Sequence, residues 1–131
     1  EKKILIVEDE ADVIEFMRDL LTDQGYIVEA ANDGNAGFEK VKSYKPDLIL
    51  LDIQMPEETG VGMFRRMYRN KEMREIPVIV VSGMPGANWA ISSRIPVIDK
   101  PIDEQKLIDQ IEKSLSMETE RKVLATEANP V

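Results

Sequence analysis

The sequence predicts an α/β protein built as a doubly wound, five-stranded parallel sheet. Three observations carry that prediction. Short apolar runs alternate along the chain with segments whose apolar residues recur at helical spacing. The runs Ile4 to Val7, Leu48 to Leu51 and Val78 to Val81 are apolar at every position rather than at alternate ones, as strands covered on both faces must be. And these runs are followed by carboxylates, a hydroxyl or a lysine, at the carboxyl ends of strands where such sheets bind their ligands.

The elements follow in order. Ile4 to Val7 predicts the first strand, and Val13, Ile14, Met17, Leu20 and Leu21 predict a helix closed by Gly25 as C-cap. Tyr26 to Val28 reads as the second strand. Ala36 to Tyr44 reads as a helix stopped at Lys45-Pro46, because proline disfavours helical backbone in the residue before it. The third strand is Asp47 to Leu51. After a loop from Pro56 to Gly60, Val61, Phe64, Met67 and Tyr68 share one helical face while the arginines point outward. Ile76 to Val81 is the fourth strand, ended by Ser82-Gly83. From Met84 to Ile95, Pro85 and Gly86 oppose a helix and only Ala87 to Ser93 supports one, of about two turns, so the fourth helix is expected to be short or irregular. Val97 to Asp99 is a brief fifth strand. Asp103 then caps a last helix with Leu107, Ile108, Ile111 and Leu115 on its inner stripe. Met55, Met63, Met67 and Met73 read as core filling rather than as an adaptable partner surface. Residues 1–116 form one domain; residues 117–131 lack a sheet or core pattern and read as an extension of the last helix, a linker or a tail.

Composition removes whole classes of function. A chain of 131 residues that is 43% hydrophobic and 32% charged suits a single core. Its net charge of −8 argues against direct nucleic-acid contact, which needs a concentrated basic patch. Arg65, Arg66, Arg69 and Lys71, interrupted by Met67, read as a solvated helix face. With no cysteine and no histidine, disulfides, thiolate zinc sites and imidazole bases are excluded. No apolar run approaches the roughly 20 residues that span a bilayer and no signal pattern opens the chain, so no membrane contact and a cytoplasmic location are expected. The first residue is Glu1 rather than methionine, which suggests trimming or excision from a longer protein.

Chemistry must therefore run on carboxylates, hydroxyls and lysine. Glu8-Asp9-Glu10 follows the first strand, Asp52 the third, Ser82 the fourth and Asp99-Lys100 the fifth, and in a parallel sheet all of these share one rim. Each alone has an ordinary explanation, as helix-N-terminal acids, a turn, a loop cap or the start of a helix. Together they do not. Acids crowded at one point repel unless a cation neutralises them, and an all-oxygen set favours Mg²⁺. Asp52 can then serve as a nucleophile that takes a phosphoryl group as an acyl phosphate, with Lys100 and Ser82 contacting the phosphoryl oxygens.

These residues resemble those of the receiver domains of two-component response regulators, the group that includes the chemotaxis regulators, over about residues 2–116. The resemblance rests on Glu8-Asp9, on Asp52 with Met55-Pro56 and Gly60, on Ser82-Gly83 and on Lys100-Pro101. It implies a flavodoxin-like fold with strand order 2-1-3-4-5. It further implies that Asp52 is the phosphoacceptor, that Glu8, Asp9, Asp52 and the backbone carbonyl of Gln54 organise Mg²⁺, that Ser82 swings to the phosphoryl group and that Lys100 pairs with it, its peptide bond to Pro101 commonly being cis. The implied partners are a sensor histidine kinase or phosphotransfer protein as donor and a downstream protein or fused output domain as reader. The chain would then be a switch, not an enzyme, catalysing only its own phosphorylation and dephosphorylation. Gln54 and Met84, each two residues after a site residue, would tune the acyl phosphate's lifetime.

The chain departs from the family at three places. Glu8 stands where an aspartate is common, Val97 replaces an aromatic that reports activation, and the stretch from Ser82 to Lys100 is short and carries Trp89, which could report phosphorylation instead. Two other functions compete. A pseudo-receiver would keep the fold without phosphotransfer, and a Mg²⁺-dependent aspartyl-phosphate phosphatase would need its nucleophile after the first strand.

Overall fold

The computed structural model describes residues 1–56, 59–84 and 94–128, with side chains to residue 121. Five strands among these residues form one all-parallel sheet: β1 (Lys3–Val7), β2 (Ile27–Ala31), β3 (Leu48–Leu51), β4 (Val78–Ser82) and β5 (Val97–Asp99). The order across the sheet is β2-β1-β3-β4-β5, as the resemblance implies. Helices α1 (Ala11–Asp23), α2 (Gly34–Tyr44), α3 (Thr59–Arg69) and α4 (Glu104–Ala128) flank it, and a turn of 3₁₀ helix at Met73–Glu75 leads into β4. The segment expected to hold the short fourth helix, Ala87 to Ser93 with Trp89, lies outside the described residues.

The pleat sends alternate residues to opposite faces. Ile4, Ile6, Leu48, Leu50, Ile79 and Val81 pack with Met17 and Leu21 of α1 and Leu107 and Ile111 of α4. Leu5, Val7, Ile49 and Leu51 pack on the other side with Val41 of α2 and Met55, Met63, Met67 and Met73. The methionines are therefore core, as expected.

Differences from the sequence reading fall at element ends. β2 begins one residue later than expected and runs on to Ala31, because an edge strand is half-exposed and its Glu29 breaks the apolar pattern. α2 starts at Gly34, capped by Asp33, whose Oδ1 accepts the Ala36 N–H at 2.7 Å. β4 begins at Val78 and reaches Ser82. In α3 the buried stripe is Gly60, Met63 and Met67; Tyr68 is 63% exposed, because it lies at the edge of the face centred on those residues, where it stacks on Phe64 at 6.2 Å between centroids. Asp103 caps the last helix as expected, accepting the Lys106 N–H at 3.0 Å. That helix continues past residue 116 to Ala128 without a break, and Arg121 on its extension pairs with Glu75 at 3.0 Å. No helix among the described residues is long and apolar enough to cross a membrane.

Candidate functional site

The backbone builds the site before any side chain acts. Past the regular ladder, Asp52 N–H donates to Val7 O at 2.9 Å, Glu8 N–H to Ala31 O at 3.0 Å and Lys100 N–H to Ser82 O at 2.9 Å. These bonds carry the sheet one residue further, so Glu8, Asp52, Ser82 and Lys100 come together at its carboxyl rim. Glu8, Asp52 and Ser82 are the buried polar side chains among the described residues, with exposures of 0%, 2% and 0%. Gly60 is needed for the approach: a Cβ there would lie 2.4 Å from Asp52 O.

Lys100 supplies the countercharge. Its Nζ stands 2.8 Å from Glu8 Oε1 and 3.6 Å from Asp52 Oδ2. Buried carboxylates without such a partner would carry a heavy desolvation cost. Glu8 Oε2 accepts the Glu10 N–H at 3.1 Å, so Glu8 also takes up a free donor near the start of α1; the helix-terminus role that such acids often play is realised alongside the site. Oε1, by contrast, meets no donor at a hydrogen-bonding angle despite the nearby ammonium. Asp52 Oδ1 accepts the Gln54 N–H at 2.8 Å. Asp9 and Glu10 are exposed beside Glu8, and carboxylate oxygens of the three lie within 4.8 Å of one another. The peptide joining Lys100 to Pro101 is cis. Val97, half-buried in β5, pairs with Val80.

Of the residues picked out in the sequence, Glu8, Asp52, Ser82 and Lys100 are brought into one cluster, with Asp9 at its exposed edge. What sequence reasoning missed is the side chain of Gln54. Its Oε1 accepts from Ser82 Oγ at 2.5 Å and from Gly83 N–H at 2.9 Å. A pairing across 28 residues has no local signal; only the placement of both residues just past neighbouring strand ends hinted at it.

The electrostatics bring the titration of Glu8 up to near neutral pH. Burial is the largest cause and raises its pKa from 4.5 to about 7, with the Asp52 charge adding to the rise and the Lys100 and Glu10 contacts opposing it. For Lys100, burial alone would lower the pKa, but the Glu8 contact and the Asp52 charge outweigh it and the net direction is up. Because Glu8 titrates higher folded than unfolded, the folded chain binds the extra proton between the two values. Stability from this group is full below about 4.5 and is lost as pH rises through about 7. The loss is on the order of 3 kcal/mol. Urea unfolding in chelator across that range should show Glu8→Gln less pH-dependent than the unsubstituted chain; parallel curves would contradict the assignment.

The model of the response regulator receiver domain family matches residues 4–112. The polar-differentiation response regulator DivK of Brucella anthropi is 33% identical over 118 residues, covering 87% of this chain and 96% of that protein. Among solved structures, the chemotaxis protein CheY4 of Vibrio cholerae shares the fold with a TM-score of 0.78 at 22% identity, over 86% of this chain and 98% of that one. NtrX of Brucella abortus superposes with a TM-score of 0.83 at 25% identity, over 95% of this chain and only 29% of that one. With the strand order, the acidic rim and this match over most of its length, the chain belongs to the response regulator receiver domain family.

Proposed function

We propose that this chain is a phosphorylation-controlled switch whose phosphoacceptor is Asp52. The observation that carries the reading is the convergence of two buried carboxylates, one lysine and one buried hydroxyl at a single sheet rim. Asp52 Oδ1 is tied to the Gln54 N–H, and Oδ2 faces Lys100. Oδ2 attacks the phosphorus of a partner's phosphohistidine, the P–N bond breaks, and its electron pair leaves with the imidazole. Lys100 and Ser82 then contact the phosphoryl oxygens.

The donor set fits Mg²⁺. It is all oxygen, and the carboxylate oxygens of Glu8, Asp9 and Glu10 crowd within 4.8 Å of one another. Glu8, Asp9, Asp52 and the Gln54 carbonyl would hold the ion, which when bound supplies positive charge to the transferring phosphoryl group. Because Glu8 must ionise to bind it, Mg²⁺ affinity should climb as pH rises through about 7.

A new charge at Asp52 biases the loops after β3 and β4 toward a second arrangement that a partner reads. The donor is a sensor histidine kinase or phosphotransfer protein, and the reader is a downstream protein or an output domain. The receiver unit spans residues 1–116, and the helical stretch beyond it is an arm. The reaction happens once per signal, so the chain is a switch rather than a turnover enzyme.

The test is incubation with acetyl phosphate and Mg²⁺. One phosphoryl group should be added per chain, visible by intact mass and removed by hydroxylamine. No uptake, or uptake that hydroxylamine leaves in place, would overturn the reading.

A further inference from the structure

Ser82 is fully buried and its hydroxyl both donates and accepts a hydrogen bond. Its Oγ accepts from the Met84 N–H at 3.1 Å and donates to Gln54 Oε1 at 2.5 Å. The identity of the acceptor is fixed chemically, because the same Gln54 atom receives the Gly83 N–H at 2.9 Å, and an amide nitrogen could not accept that bond. The Ser82 proton is therefore directed at Gln54, and the hydroxyl cannot donate elsewhere without giving that bond up.

Gln54 also reaches the other half of the site. Its backbone N–H holds Asp52 Oδ1 at 2.8 Å. One residue thus touches the acceptor carboxylate through its main chain and the β4 loop through its side chain. We infer that Gln54 is a positioning residue, a latch that withholds the Ser82 hydroxyl from Asp52 in the resting chain and must release it when a phosphoryl group arrives.

This rests on Asp52 being the phosphoacceptor. A bond made only in the resting arrangement is lost on the switch, and its free energy is subtracted from the affinity for whatever drives the switch. Removing the acceptor should therefore tighten binding of a phosphoryl mimic. That direction separates a latch from a scaffold, since loss of a scaffolding contact would weaken binding.

Beryllofluoride with Mg²⁺ is the probe, followed by fluorine NMR titration. Gln54→Met, which removes the acceptor at similar length, and Gln54→Asn, which withdraws it by one methylene, should each raise affinity about three- to tenfold, the size of one ordinary hydrogen bond. In a Ser82→Ala background the same substitutions should change affinity by less than about twofold, because the hydroxyl they free is gone. In the free chain, both should shift the Gly83 amide proton resonance. No gain in either variant, a loss, or an equal gain with and without Ser82 would overturn the latch. If the unsubstituted chain binds no beryllofluoride, the phosphoacceptor reading fails and the latch with it; if it binds normally and the Gln54 variants behave like it, the latch alone fails.

Discussion

Asp52→Asn should reduce hydroxylamine-labile uptake from acetyl phosphate to background while making the chain slightly harder to unfold. The first effect follows from chemistry, since a carboxamide cannot form an acyl phosphate. The second follows from the site's charge. Asp52 is buried with Glu8 and its charge pushes the Glu8 pKa upward, which is a repulsion the neutral side chain lacks. An asparagine oxygen can still accept the Gln54 N–H, and Lys100 keeps its closer partner, Glu8, at 2.8 Å. The attraction given up is the weaker contact, at 3.6 Å. The melting temperature without divalent cations should rise by about 3 °C. Undiminished uptake would move the acceptor elsewhere, and a large fall in melting temperature would mean that the Asp52–Lys100 attraction dominates.

Gly34→Ala should be the most damaging small substitution in the fold. A Cβ at Gly34 would stand 1.8 Å from Thr59 O and 2.4 Å from Thr59 C. Both are backbone atoms of the first residue of α3, so no rotamer change relieves the clash and the start of α2 must separate from the start of α3. Overpacking of this kind costs about 3 kcal/mol, or roughly 10 °C in melting temperature. Gly62→Ala is the matched control: it lies within α3 with nothing within 4 Å of the new atom, and removing a flexible residue from a helix should gain about 0.5–1 kcal/mol. Equal melting temperatures for the two variants would contradict the close seating of α2 on α3.

The central strands were legible because burial on both faces leaves Ile4 to Val7, Leu48 to Leu51 and Val78 to Val81 apolar at every position. Edge strand β2 was legible only in part, since residues such as Glu29 carry no such signature. Site residues that are costly to bury were the easiest to find: Asp52 and Lys100 stand out as charges at strand ends. What escaped was tertiary in origin. Asp33 as a cap stood beside a stronger apolar pattern, Tyr68 was placed inward by a periodicity that cannot tell the centre of a helical face from its edge, and the Gln54–Ser82 bond exists only because β3 and β4 are neighbours.

The two faces of the sheet also differ mechanically. Beneath α1 and α4 the lining is mainly isoleucine, leucine and valine, side chains with few rotamers that resist displacement. On the other face the sheet is lined by the same kinds of residue, Leu5, Val7, Ile49, Leu51 and Val78, but α3 meets them through its own Met63 and Met67, with Met55 and Met73 beside them, unbranched thioethers that re-shape at little cost. The helix that follows the Asp52 loop thus grips the sheet through adaptable side chains while α1 and α4 meet branched ones, so a displacement starting at Asp52 is expected to be taken up first between α3 and the sheet.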